Sequence, residues 1–444
     1  MSLTIQKIFT YFIKFFLLIQ PLFFIPVLKQ NFSMQRLFLF FAFSIVVYLS
    51  FILKSISDKK LKYTNHYLII PAVLTLISLC ISQYFSVASW LSFWGLNTLQ
   101  HTSFLFLLNF LIIIAVAPSL IKDIGFVKKM PLVLSSCIFI FNVLLLLGNF
   151  GILQTFFLSE NAFTVLFLQT VAIASSVFLL NTSKDYPVLT FSQVMLCLSF
   201  LTTFLYFGIY SAIFSIFCLL ISIVFLKNNN FDFKKYAVSI ISFVLILVLC
   251  IALGLNTNNK FANYFQQTQD SLTILKSSLN ARMFTGFGPS NYVFAFSKFA
   301  NFNFFTQNNN YFANSFFVTS LIEKGVLFTG SFVLMFLVYF YNSRYTLNSV
   351  YTNYYKKYFV LLTLLTFIFL IFFNSSVLVL SFLAVFFIVT TGLQKEENKG
   401  FIKDKSLIVE PKEFKENQKY SASFLVSFLL LFPLLNPIEN CRFP

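Results

Sequence analysis

IFTYFIKFFLLIQPLFFIPVL, residues 8–28, decides the class of this protein. A secretory signal core runs to about 7–15 apolar residues and ends at a small-residue cleavage site. This run is longer, and no such site follows it. It therefore reads as a retained helix, long enough at about 1.5 Å per residue to cross a hydrocarbon layer roughly 30 Å thick.

The rest of the chain repeats that pattern. Of the 444 residues 58% are hydrophobic and only 10% charged, against about a quarter charged in an ordinary soluble domain. Phe alone occurs 67 times, whereas Gly and Pro occur 12 and 11 times, so a soluble globule and a loop-rich disordered chain are both excluded. Apolar windows of about 20 residues predict spans at 8–28, 36–53, 67–82, 103–121, 131–149, 162–180, 188–205, 209–226, 236–255, 316–341, 358–373, 375–392 and 421–436. The expected fold is an all-α polytopic integral membrane protein of about 12–13 transmembrane helices with one large extracytoplasmic loop. Six Cys at 80, 137, 197, 218, 250 and 441 form neither a CxxC motif nor a paired loop spacing, so neither a disulfide framework nor a zinc site is expected.

Charge sets the orientation. With the N-terminus cytoplasmic, 22 of the 31 Lys and Arg fall in inside segments and seven outside, with Lys14 and Lys324 within spans. That is the positive-inside pattern. The net charge of +17 then reports membrane orientation, with attraction to anionic headgroups as a by-product. Nucleic acid is not an expected partner, since no ordered soluble module is evident. The organisation expected is helices 1–9 over 1–255, a loop over 256–315, helices 10–12 over 316–392, a charged cytoplasmic linker over 393–420 and a last helix within 421–444.

The linker is polar and of mixed charge, which reads as solvated chain. The loop differs: its 60 residues hold 12 Asn, 11 Phe and three Tyr, with Lys260, Lys276, Arg282 and Lys298 against a single Asp270. Long loops of this kind are commonly functional or disordered, and the aromatic content argues that this one folds back on the membrane surface. QQTQDSLTILKSSL, at 266–279, lacks Gly and Pro. Phe261, Phe265, Leu272 and Leu275 approximate one face of a helix expected over about 262–279.

After that helix come Arg282, GFGPSNY at 286–292, YFANSFF at 311–317 and LIEKGVLFTG at 321–330, while QPLFFIPVLKQNF stands at 20–32. This ordered set resembles the signature loop of the O-antigen ligase and O-antigen polymerase family, polytopic enzymes that move glycans carried on undecaprenyl diphosphate. The resemblance covers 266–330 and, more loosely, the whole architecture. Aligned on GVLF at 325–328, it sets Asn314 where the family has its His and Ser315 where it has its Asn; two family Arg positions fall near 206–212 and at Gln266 or Gln267, where no Arg stands. The resemblance implies an inner-membrane glycosyltransferase without cofactor or metal. Its partners would be membrane lipid, a polyprenyl-diphosphate-linked glycan and a glycan or lipid acceptor.

That chemistry needs a cation on the leaving diphosphate. Arg suits it, because its fork matches two phosphate oxygens and stays charged. Arg282 is the one Arg of the loop, beside Gly286 and Gly288, whose backbone would admit an anion to peptide N–H groups; Lys276 and Lys298 would supplement it. An acceptor hydroxyl needs a base or an orienting acceptor. The candidates are Asn314, Glu323 and His101, the last lying near Trp90 and Trp94. His101 is read either as a polar residue at an interfacial helix start or as a relocated base. Glu323 and Lys324 also have two readings. In one they sit at headgroup level with Lys324 snorkelling; in the other Glu323 faces a cavity, meeting the acceptor or pairing with Arg282.

Two other functions share these features: a catalytically inactive relative that binds lipid-linked glycan, and a membrane transporter, which would show repeated halves and midplane ionisable groups. The orientation itself is testable. Cysteines placed at Asn308 and Asn398 should react with an impermeant reagent from outside at 308 and not at 398; the reverse result would overturn the topology.

Overall fold

The computed structural model describes residues 2–22, 32–58, 66–95, 100–121, 124–149, 162–183, 185–207, 209–226, 241, 260–299, 313, 315–347 and 354–397. Among them the chain is all-helical: α1 (Ser2–Leu22), α2 (Phe32–Asp58), α3 (Ile69–Tyr84), α4 (Ser89–Trp94), α5 (Phe104–Val116), α6 (Ile124–Asn149), α7 (Ala162–Thr182), α8 (Tyr186–Phe207), α9 (Ile209–Leu226), α10 (Lys260–Arg282), α11 (Tyr292–Phe299), α12 (Phe316–Leu347), α13 (Tyr354–Phe372) and α14 (Val377–Glu397). Among the described residues six helices are long and apolar enough to cross a membrane: those over Gln35–Asp58, Val127–Leu147, Phe163–Thr182, Tyr186–Phe204, Phe316–Ser343 and Tyr354–Phe372. Five shorter apolar helices accompany them. The protein is a multi-pass helical membrane protein. Eleven expected spans overlap helices, the first of them, 8–28, as far as Leu22; 23–28, all of 236–255 except residue 241, and 421–436 lie outside the described residues, and of the linker expected over 393–420 the described part, 393–397, continues the last helix.

Hydrogen bonds and ring contacts sort the helix termini into two ends. At one, Lys54 Nζ donates to the Ser119 carbonyl, His66 Nε2 meets the Ala115 carbonyl at 3.2 Å, and Tyr354 Oη donates to the Leu226 carbonyl. At the other, Phe316 N–H donates to the Phe373 carbonyl and Phe163 packs on Phe373. Arg36 donates from Nε and Nη2 to the Gln20 and Pro21 carbonyls. A cation there suits the C-terminus of α1, where helix carbonyls lack intrahelical donors. Successive spans alternate between these ends, and 260–299 belongs to the second, here called the loop end.

Helix α7 runs through the middle, with 94% of its spanning window buried. Such a helix needs no polar face, and its polar groups must be satisfied inside. Gln169 and Asn142 do this reciprocally, Nε2 to Oδ1 at 2.7 Å and Nδ2 to Oε1 at 3.1 Å. Ser175 meets Tyr358 Oη at 2.6 Å. Helix α14 is similarly enclosed, with Val377–Val389 buried throughout its apolar positions.

The loop helix extends further than its expected bounds of 262–279, from Lys260 to Arg282. Its facing also needs correction: Ser271, Ile274 and Ser278 are buried, whereas Leu272, assigned to the inner face, is half exposed. The side chains of Phe261 and Phe265 lie outside the described residues. Helix α10 packs through Ile274, with Leu275 partly buried, on an apolar patch made by Phe287, Tyr292 and Ile322, and small serines flank that contact where it meets the loop.

Candidate functional site

α12 is two helices joined at a break. Gly325 has φ 76° and ψ −177°, outside any helix, so Phe316–Lys324 forms a short first half. The break exposes backbone on which the loop docks. Phe287 N–H donates to the Ile322 carbonyl at 3.1 Å, Gly288 N–H to the Glu323 carbonyl at 2.6 Å, and Val326 N–H to the Met283 carbonyl at 2.9 Å. Helix carbonyls freed at a mid-span break must find donors when water is excluded. Segment 283–288 supplies them.

Only glycine permits this approach. A methyl group at Gly286 would collide with the Glu323 carbonyl, and one at Gly325 with the Phe284 carbonyl; both residues have positive φ. Gly288 abuts the Ser86 side chain in the same way. The glycines therefore serve backbone-to-backbone contact. The reading of Gly286 and Gly288 as an anion cradle needs correction: the Gly286 N–H donates to the Arg282 carbonyl, and those of Phe287 and Gly288 to α12. The N–H groups of 286–288 are thus already engaged by backbone carbonyls.

Glu323 and Lys324, at the end of the half-helix, are fully buried and paired, Lys324 Nζ to Glu323 Oε2 at 3.0 Å. Sequence neighbours on a continuous helix do not face each other; the break lets the flexible Lys fold back. The other carboxylate oxygen accepts the Tyr292 N–H at 3.4 Å, at the first turn of α11, where an anion offsets the helix's unsatisfied donors. Lys324 Nζ also lies 5.8 and 5.4 Å from the Phe316 and Phe328 ring centroids. The snorkelling placement of Lys324 and the pairing of Glu323 with Arg282 are both replaced by this pair.

His101 joins the cluster from the turn Gln100–Thr102. It is 6% exposed, and its Nε2 has no hydrogen-bond partner among the described residues. Burial pushes its pKa down to about 3, helped by the Lys324 charge. While enclosed, it is neutral and a weak proton acceptor. The adjacent Thr102 and Ser290 place their hydroxyl oxygens 3.0 Å apart, tying this turn to the loop.

Arg282 points the other way. It is exposed, donates from Nη1 to the Phe85 carbonyl at 2.9 Å and lies 5.6 Å from the Phe287 ring centroid. Exposed Tyr84, Phe85, Trp90 and Phe284 belong to the same end, the composition of a membrane–water interface. Lys276 and Lys298 are exposed as well, Lys298 beside Phe299. Asn314 lies outside the described residues. The structure thus brings Arg282, Gly286, Gly288, Glu323 and His101 to one knot, with Arg282 on its surface and Glu323 and His101 inside. Asn291 went unnoticed in the sequence: buried, it donates to Ser86 Oγ at 2.7 Å and to the Phe287 carbonyl at 3.0 Å. Its place in GFGPSN, ahead of a helical stretch, was the available signal.

The break makes unequal demands on two glycines of one helix. Nothing lies within 4 Å of where a Cβ would stand at Gly330, so Gly330→Ala should be neutral or stabilise by up to about 1 kcal/mol. Gly325→Ala should cost about 1–3 kcal/mol or more. Thermal unfolding in detergent measures both; equal effects would contradict the break.

The chain matches no model of a known protein family, and no curated protein matches it in sequence.

Proposed function

We propose that the protein binds a polyprenyl-diphosphate-linked glycan at the extracytoplasmic surface of a bacterial inner membrane and transfers the glycan to an acceptor in cell-surface polysaccharide synthesis. The acceptor hydroxyl oxygen would bond to the anomeric carbon of the glycan as the carbon–oxygen bond to the diphosphate breaks. Polyprenyl diphosphate leaves, and the hydroxyl proton passes to a base. The observation that supports this reading is the presentation of Arg282: an exposed guanidinium, held by the Phe85 carbonyl and the Phe287 ring, among interfacial aromatic residues. A diphosphate on a membrane-embedded tail would travel at that level. A bidentate fork there favours the leaving group as its charge develops.

A second reading, a non-catalytic binder of lipid-linked glycan, draws on the interior of the knot. Glu323 is engaged by Lys324 and Tyr292, and His101 is enclosed, so neither reaches an acceptor in this arrangement.

Binding and transfer assays with a polyprenyl-diphosphate sugar separate the two. Arg282→Lys should weaken binding roughly tenfold or more, because a desolvated charge-assisted bidentate contact is worth about 1.5–3 kcal/mol. Lys298→Ala should change it less than about fivefold, as for an exposed charge. Transfer lost on Arg282→Lys supports the enzyme, and binding without transfer in the unsubstituted protein supports the binder. Indifference to both substitutions would remove the lipid-linked glycan from the account.

A further inference from the structure

Among the described residues the buried apolar side chains form two separate clusters. One fills the bundle. The other belongs to the loop and the first half of α12, with Ile274, Phe287, Tyr292, Ala295, Phe296 and Ile322 among its members. Polar bonds tether this small unit to the rest of the loop end: Ser82 Oγ donates to the Thr285 carbonyl at 2.9 Å, Val87 N–H to the Phe287 carbonyl at 3.0 Å, and Asn291 to Ser86, while Thr102 meets Ser290. Units with their own small core, attached through hydrogen bonds, open at less cost than the whole fold. Positive φ at Gly286, Gly288 and Ser290 marks where the backbone turns.

Segment 283–292 of this unit lies against Glu323, at the end of the first half of α12, and behind Glu323 come Lys324 and His101. Buried polar atoms nearly always have partners, yet His101 Nε2 has none among the described residues. Ionisable groups inside a membrane protein generally mark function. A base and an ion pair are therefore assembled where nothing reaches them.

We propose that residues 283–292 are a hinged lid over the His101–Lys324–Glu323 cluster, closed in this structure, with Glu323 as its clasp through the Tyr292 N–H. Opening hydrates His101 and returns it toward ordinary imidazole basicity. As a motion the lid stands by itself. As a gate on acceptor access it rests on the proposed function.

Diethyl pyrocarbonate labelling of the full chain in nanodiscs, read at His101 by mass spectrometry, tests the motion. His66, 6% exposed at the opposite end, is the internal reference. The pair Thr102→Cys and Ser290→Cys should bridge when oxidised and slow His101 labelling at least tenfold against the reduced form, which should match the unsubstituted protein. Glu323→Gln should speed labelling about tenfold or more, since a charged acceptor is lost. Gly286→Ala, which drives the backbone off the Glu323 carbonyl, carries the same expectation should Glu323→Gln fail to fold. Equal labelling in oxidised and reduced forms, failure of the cysteines to bridge, or no acceleration in the folded variants would overturn the lid. A joint rise at His66 and His101 would also overturn it, as a loosening of the whole bundle. Labelling needs no glycan donor: a lid that moves in a protein that binds no donor removes the function alone, and an immobile lid beside measured transfer removes the lid alone.

Discussion

A carboxylate and an ammonium, both sealed from solvent at the end of a half-helix, are the constraint on which the loop end depends. Taking two charges out of water is expensive, and removing either partner leaves the other uncompensated. Glu323 and Lys324 are tolerated because Gly325 breaks α12, Lys324 folds back 3.0 Å from Glu323, and α11 aims the Tyr292 N–H at the remaining carboxylate oxygen. The same break frees carbonyls of α12, and the GFG segment occupies them. Helix break, ion pair and loop docking are thus one arrangement. Each part supplies partners that the others lack.

How much of this was legible in the sequence follows from the range of each interaction. The spans were legible, because about 20 apolar residues can do little else in lipid. Helix α10 was legible from a stretch free of Gly and Pro, although its facing was not: Leu272 turns outward because Ile274 takes the contact with Phe287, Tyr292 and Ile322, a surface assembled jointly by the loop and α12. Gly286 and Gly288 announced a close approach but not its object, which proved to be backbone around Gly325. That pairing joins segments about forty residues apart, and periodicity carries no trace of it. The meeting of His101 with Lys324 lies further still beyond local pattern. Lys324 and Glu323 did stand out as charges in an apolar run; their adjacency in sequence concealed that they pair with each other, since a continuous helix would have forbidden it.

The knot also redistributes the roles that the resemblance to O-antigen ligases and polymerases suggested. Arg282 stays on the surface, at the same end as exposed Tyr84, Phe85 and Trp90, where the proposed lipid-borne diphosphate would meet it. Glu323 and His101 lie inside, the first acting on α11 and the second without a partner for its Nε2. The exposed guanidinium and the enclosed Glu323 and His101 are separated by a few residues of glycine-rich backbone, and in the proposed account access between them depends on how firmly 283–292 is held.

Hydrogen–deuterium exchange of the peptide spanning 283–292 measures that hold directly. In the unsubstituted protein the amides of Phe287, Gly288 and Tyr292 should be protected, but less than those of α7 in the bundle core. Glu323→Gln should abolish the protection at 283–292 while leaving α7 unchanged. Free exchange at Phe287 and Gly288 in the unsubstituted protein, or protection indifferent to Glu323→Gln, would contradict the docking of the loop on the break.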